Sequence, residues 1–241
     1  MSSRAGWEGL GAAIRGEQCR ATIVLLASPL LMVTWWYYGN ARYLAQAIPD
    51  AWLWRGDREA TAGLGSFLAG FVLLGVIPAL LVRLAFRERL ADYGVRLGDR
   101  VRTLRATLVL GPCFVLGGYL ASLDPAVQAL YPLNKGAARS PEMFAIHAAC
   151  YFLFYVGWEF HFRGFLQFGL RARLGDVNAL LVQVLASALL HFGRSAGETY
   201  ASILVGLLWG VLAFRTRSLL AGLLQHFLLG ITLDWFLCYG R

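Results

Sequence analysis

The run Tyr155-Val156-Gly157-Trp158-Glu159-Phe160-His161-Phe162-Arg163-Gly164-Phe165-Leu166 sets a carboxylate, an imidazole and a guanidinium inside a stretch otherwise too apolar for water. A charge at bilayer depth costs about 3 kcal/mol or more, so such residues face a protein interior or an aqueous cavity and carry function. Glu159 is the first functional candidate on that ground. Glu159 and Arg163 stand four apart, so a helix puts them on one face, with the acid N-terminal to the base in the favourable order. The pair can part-neutralise itself.

Composition agrees with a membrane interior. Hydrophobic residues make up 58% of the 241, charged residues 15% and aromatics 14%, far from a soluble domain. The expected fold is all-α, a polytopic bundle of about seven to eight helices. The net charge of +8 does not point to nucleic acid, because the basic residues sit in short loops between apolar spans, as the positive-inside rule describes. Cys19, Cys113, Cys150 and Cys238 are scattered without metal-type spacing and are expected as free thiols.

Residues 1–20 read as a basic cytoplasmic lead-in, and residues 21–38 as a first membrane helix and anchor. Its end, Trp35-Trp36-Tyr37-Tyr38, with Trp52 and Trp54, suits an aromatic belt. Further spans are expected at 64–86, with Pro78 as a kink, and at 104–122. A fourth helix starts at Pro141, a first-turn position, and runs to about Arg173. A tight turn at Gly175-Asp176 leads to a fifth at 177–192, and the last two cover 198–214 and 218–238. The basic loop from Arg87 to Arg105 and the turns at Arg171-Ala-Arg173 and Arg215-Thr-Arg217 then fall on one side. This makes a multi-pass inner or plasma membrane protein with a cytoplasmic N-terminus and, for seven spans, an outside C-terminus.

The remaining intramembrane polar residues converge in this scheme. Glu159 and His191 lie at similar distances along the chain from the turn near Asp176, which gives them matching depth in an antiparallel hairpin. On the last helix His226, Gly230 and Asp234 share one stripe. A lone transmembrane histidine often only satisfies a neighbouring helix; one acid, two histidines and a second acid from three helices form a candidate site. His161 lies about 200° around the helix from Glu159, and His147 lies nearer the outer end; both read as structural. Glu198 reads as a helix-start acid, and Ser187 and Tyr155 as residues one turn from the site.

These motifs resemble the CPBP (Abi) intramembrane proteases, which include the type II prenyl-protein CAAX endopeptidases and proteins linked to bacteriocin processing and self-immunity. The family's Glu-Glu-x-x-x-Arg-Gly motif is similar to Trp158-Glu159-Phe160-His161-Phe162-Arg163-Gly164. A second motif closing on histidine is similar to Ser187-Ala-Leu-Leu-His191-Phe-Gly, and a third, His-x-x-x-Asn/Asp, to His226-Phe-Leu-Leu-Gly230. The segment from Leu90 to Gly98 resembles a loop common in bacterial members. The resemblance implies N-terminal membrane helices over 1–89 and a protease-like core over 90–241. It also shows two departures: Trp158 replaces the first acid of the pair, and Gly230 replaces the Asn or Asp, with Asp234 one turn further on as a candidate substitute.

The implied activity is endopeptidase cleavage within the membrane, on a peptide or protein substrate that is prenylated or membrane-bound, with the bilayer as the other partner. Glu159 is the expected base, beside Arg163; His191 orients the water, and His226 with Asp234 supplies the oxyanion donor. A metalloprotease version instead uses His191, His226 and an acid to bind a divalent ion, zinc. Two other classes stay open. A non-catalytic immunity or scaffold protein would explain Trp158 and Gly230. An ion-coupled transporter would use the same residue types, but no internal repeat of the usual transporter kind is visible.

Overall fold

The computed structural model describes residues 16–240, and among them it is helical throughout, with no strand. Of the basic lead-in expected over 1–20, residues 1–15 lie outside the described residues. We number the long helices. Helix α1 is Gly16–Tyr38. Helix α2 starts at Arg58–Gly70 and continues through wider, π-helical turns at Phe71–Val76 and Leu81–Ala85 on either side of Pro78. Helix α3 is Arg100–Ser122. Helix α4, Pro141–Glu159, runs on through a π-helical stretch at Phe160–Phe168 into α5, Gly169–Leu189. Helices α6 and α7 are Ala196–Thr216 and Leu220–Tyr239.

Six helical segments are long and apolar enough to cross a membrane, and one of them is the unbroken-looking Pro141–Leu189. Inside it Gly175 has φ 74 and ψ 170, a conformation that glycine reaches without a Cβ penalty. The chain folds back there. Gln167 and Gln183 both reach α6, donating to the carbonyls of Gly210 and Gly206 at 2.8 and 3.0 Å, so the two arms of this hairpin run side by side, which makes seven long helices among the described residues. Local chemistry starts the helices as expected: Asp57, Asp99, Ser140 and Ser195 each accept a backbone N–H from the first turn of α2, α3, α4 and α6, the usual role of a short polar N-cap.

The packing is that of a protein in lipid. Leucines and valines point outward on α3, with Leu108 and Val109 among the most exposed, while the polar groups Glu159, His161, Arg163, Gln167 and Gln183 are buried on α4 and α5. One core of Val24, Trp35, Phe67, Leu74, Tyr151, Phe154, Trp158, Phe162 and Phe165 spans α1, α2 and α4, so the segment before residue 89 and the segment after it share their interior. The arginine-bearing loops collect at one end. There Arg96 Nε donates to the carbonyl of Arg217 at 2.9 Å, and the Asp99 N–H donates to that of Thr216 at 2.8 Å. All four cysteines are free thiols.

Candidate active site

The site begins at a helix crossing. A Cβ on Gly157 would stand 2.9 Å from Phe71 Cα, and one on Gly75 would stand 3.0 Å from Gly157 Cα. Only glycine at both positions lets the backbones of α2 and α4 approach so closely, as small residues do between membrane helices. The approach fixes the height and rotation of the next two residues, Trp158 and Glu159. Directly after them α4 widens into its π-helical stretch, a distortion that recurs at functional sites.

Glu159 is 1% exposed. Its Oε1 accepts from Arg163 at 3.2 Å, along the same helix, and from Nδ1 of His226 on α7 at 2.8 Å. Its Oε2 is buried without a hydrogen-bond partner. Since a carboxylate oxygen only accepts, Nδ1 of His226 carries the proton, which leaves Nε2 with a lone pair. The His226 ring is held between Tyr155 and Trp209, with centroids 4.2 and 4.4 Å away. Trp209 is itself fixed by donating Nε1 to Gln225 at 3.0 Å. The imidazole therefore has one orientation, and its side chain keeps 15% exposure.

His191 lies beside the Trp158 indole. Its Nδ1 lies 2.8 Å from the Ser187 carbonyl, so that nitrogen bears the proton and Nε2 accepts. Trp158, 6% exposed, presents its ring edge-on to His191 at 5.9 Å and to His226 at 6.4 Å. The residue that replaces the motif's first acid thus packs against both histidines. Beyond it, at the turn before α6, Tyr131 donates to Glu198 at 2.8 Å and lies under the Arg194 guanidinium at 5.3 Å. Burial pushes the Tyr131 phenol above its ordinary pKa, which keeps it a donor.

Asp234 is not part of this group. It lies eight residues beyond His226, about 12 Å along α7 at 1.5 Å per residue, and is fully buried against His147, with Nε2 to Oδ2 at 2.9 Å. The expectation that Asp234 supports His226 is corrected by this pairing: α4 offers Asp234 a partner at its own depth. His161, read as structural, accepts or donates at 2.6 Å to Ser28 of α1 and is buried.

A cavity of about 310 Å³ lies between Glu159 and the arginine-rich end. Its walls are apolar, including Val76, Val95, Leu97, Phe160 and Leu223. Of the three motif residues Glu159 lines it, while His226 meets Glu159 directly and His191 packs against Trp158. Among the described residues no three His, Cys, Asp or Glu side chains come together to hold an ion. Glu159 Oε1 is taken by Arg163 and His226, and Trp158 packs against both histidines, so as they stand these residues do not gather into the expected three-ligand zinc site.

The sequence left three of these features unread. Trp209 gives no signal beyond being a tryptophan in an apolar helix. His147 gains meaning only through Asp234. Tyr155 is one turn from Glu159, but its contact with His226 depends on how α4 and α7 face each other.

A family model described as type II CAAX prenyl endopeptidase Rce1-like matches residues 141–232. The matched segment runs from the first residue of α4 to the second half of α7; it contains Glu159, Arg163, His191 and His226 and ends before Asp234. It is consistent with a CPBP family protein and agrees with the motif resemblance. No curated protein and no solved structure matches the chain significantly.

Proposed function

We propose that this membrane protein of CAAX-protease type is an intramembrane endopeptidase that hydrolyses a peptide bond with water activated by Glu159. The observation that carries this reading is the state of one carboxylate: Oε1 is fixed by Arg163 and His226 while Oε2 is buried without a protein partner beside an apolar cavity. A buried acceptor without a partner is costly, and one on a carboxylate that lines a cavity is suited to take a proton from a bound water.

In the step this supports, Oε2 accepts a proton as the water oxygen bonds to the scissile carbonyl carbon and the carbonyl π-electrons move onto oxygen. The C–N bond then breaks, and Glu159 returns the proton to the leaving amine nitrogen. Arg163 stabilises the carboxylate charge and His226 Nδ1–H keeps it oriented. His191 Nε2 is the acceptor that can orient the water from the far side. No step passes through a metal.

The substrate class that fits is a membrane-associated peptide with an apolar side chain or lipid group for the 310 Å³ cavity, entering from the arginine-rich end. We assign that end to the cytoplasm on the positive-inside rule. The purified protein in liposomes, offered a peptide library read by mass spectrometry, should yield discrete cleavage products that Glu159→Gln abolishes.

A second reading is favoured by Trp158. With an indole packed against both His191 and His226 where the motif has an acid, the bundle could serve as a non-catalytic CPBP-like partner or immunity protein. The same assay separates the two, because that protein yields no products in any variant.

A further inference from the structure

Four arginines from separate parts of the chain open into one hollow at the arginine-rich end. Arg96 comes from the loop before α3, Arg102 from the first turn of α3, and Arg215 and Arg217 from the end of α6; with Asp99 they line a pocket of about 520 Å³. The backbone around it is tightly tied. Gly98 has φ 57, and a Cβ there would stand 2.2 Å from the Thr216 carbonyl oxygen, so the two turns meet at a distance that only glycine permits. Arg217 takes φ 53, uncommon for a residue other than glycine; its carbonyl accepts from Arg96 Nε at 2.9 Å, and the Arg215 carbonyl accepts from Arg102 at 3.3 Å. Positive charge is left over. Asp99 is the one acid lining the pocket and is paired with Arg102 at 3.3 Å, while among the described residues no acid lies within ion-pair distance of Arg215 or Arg217. The pocket also adjoins lipid-facing surface. Val109 and Leu116 follow Arg102 at seven-residue steps, which puts them on its side of α3; they are 70% and 54% exposed, on a helix long and apolar enough to cross the membrane.

We infer that this pocket binds the phosphate headgroup of an anionic membrane lipid, with the Arg215 and Arg217 guanidiniums as its free forks and Arg96 and Arg102 as its fixed walls. A guanidinium matches two phosphate oxygens at once, and like charges gathered in one hollow repel until an anion enters. The lipid's acyl chains then lie along the Val109–Leu116 side of α3. The positive-inside rule accounts for arginines in these loops; it does not require four of them to converge on one pocket, as in basic sites between membrane helices that hold anionic headgroups. The inference does not depend on the endopeptidase reading.

The test uses purified full-length protein in neutral detergent, titrated with phosphatidylglycerol and read by native mass spectrometry. Wild type should hold one phosphatidylglycerol saturably and in preference to phosphatidylcholine. Arg215→Gln with Arg217→Asn removes two exposed guanidiniums and keeps the backbone, since Asn tolerates the left-handed region; affinity should fall about twentyfold, from roughly fivefold per cation near an anionic lipid. Arg100→Gln with Arg105→Gln removes the same charge outside the pocket and should bind like wild type. A pocket variant that binds like wild type, or a control pair that loses as much as the pocket variant, overturns the site and leaves only surface charge. Displacement of the lipid by an equimolar amount of inorganic phosphate overturns the lipid as occupant and leaves a free-phosphate site.

Discussion

Oε1 of Glu159 and Nδ1 of His226 lie 2.8 Å apart although 67 positions separate them in the chain. The contact joins α4 to α7 at a point where a buried acid, a buried guanidinium and a partly exposed imidazole coincide. A carboxylate held by two donors through one oxygen has a fixed direction. The other oxygen is left without a protein partner.

Trp158 decides between an active and an inactive bundle. Trp158→Glu removes an indole that packs against Phe162, Phe154 and Trp35, at a cost of about 3–5 kcal/mol for truncating a buried aromatic, and places a second acid next to Glu159. With Glu159 as base, cleavage by the variant should drop and its melting temperature fall in detergent. Cleavage that rises above wild type would favour the non-catalytic reading of the native chain.

The His147–Asp234 pair is a stability element. Both side chains are fully buried, and removing one partner strands the other, which costs about 3 kcal/mol or more. Asp234→Ala should melt well below wild type, and kcat per folded molecule should stay within a few-fold. A kcat loss as large as that of Glu159→Gln, with the melting temperature unchanged, would return Asp234 to the site.

Chelation gives a further check. Because no three ligands converge among the described residues, incubation with a strong chelator followed by gel filtration should leave the cleavage rate unchanged. Loss of activity that zinc restores would reveal a ligand set different from this one.

Orientation follows from charge. The arginine-rich loops at Arg87–Arg105, Arg171–Arg173 and Arg215–Arg217 should be cytoplasmic, so an alkaline phosphatase fused after Arg100 should be inactive and one fused after Leu130 active. The reverse pattern would place the cavity mouth outside.

Much of the bundle is legible in the sequence because membrane helices are written in long apolar runs and their ends in arginines. The Gly175 turn, the start at Pro141 and the Glu159–Arg163 pair all follow from local spacing. Side-chain partners between helices do not. Asp234 shares a stripe with His226, yet the stripe says nothing about which residue of α4 faces it, and His147 proves to be the one. Gly230 looks like a missing side chain in one dimension and is a seat for Tyr155 in three. The reach of Glu159 into an apolar cavity depends on the Gly75–Gly157 crossing, a close approach that no single helix encodes.

The central claim is that Glu159 activates the water. Glu159→Gln keeps the shape and a hydrogen bond to His226 while removing the base, so in liposomes the variant should fold and melt like wild type within a few degrees. Its single-turnover cleavage of a peptide cut by the native protein should fall by at least about a thousandfold, within the range for loss of a general base. A Glu159→Gln protein that cleaves the same bond at the wild-type rate would contradict the account.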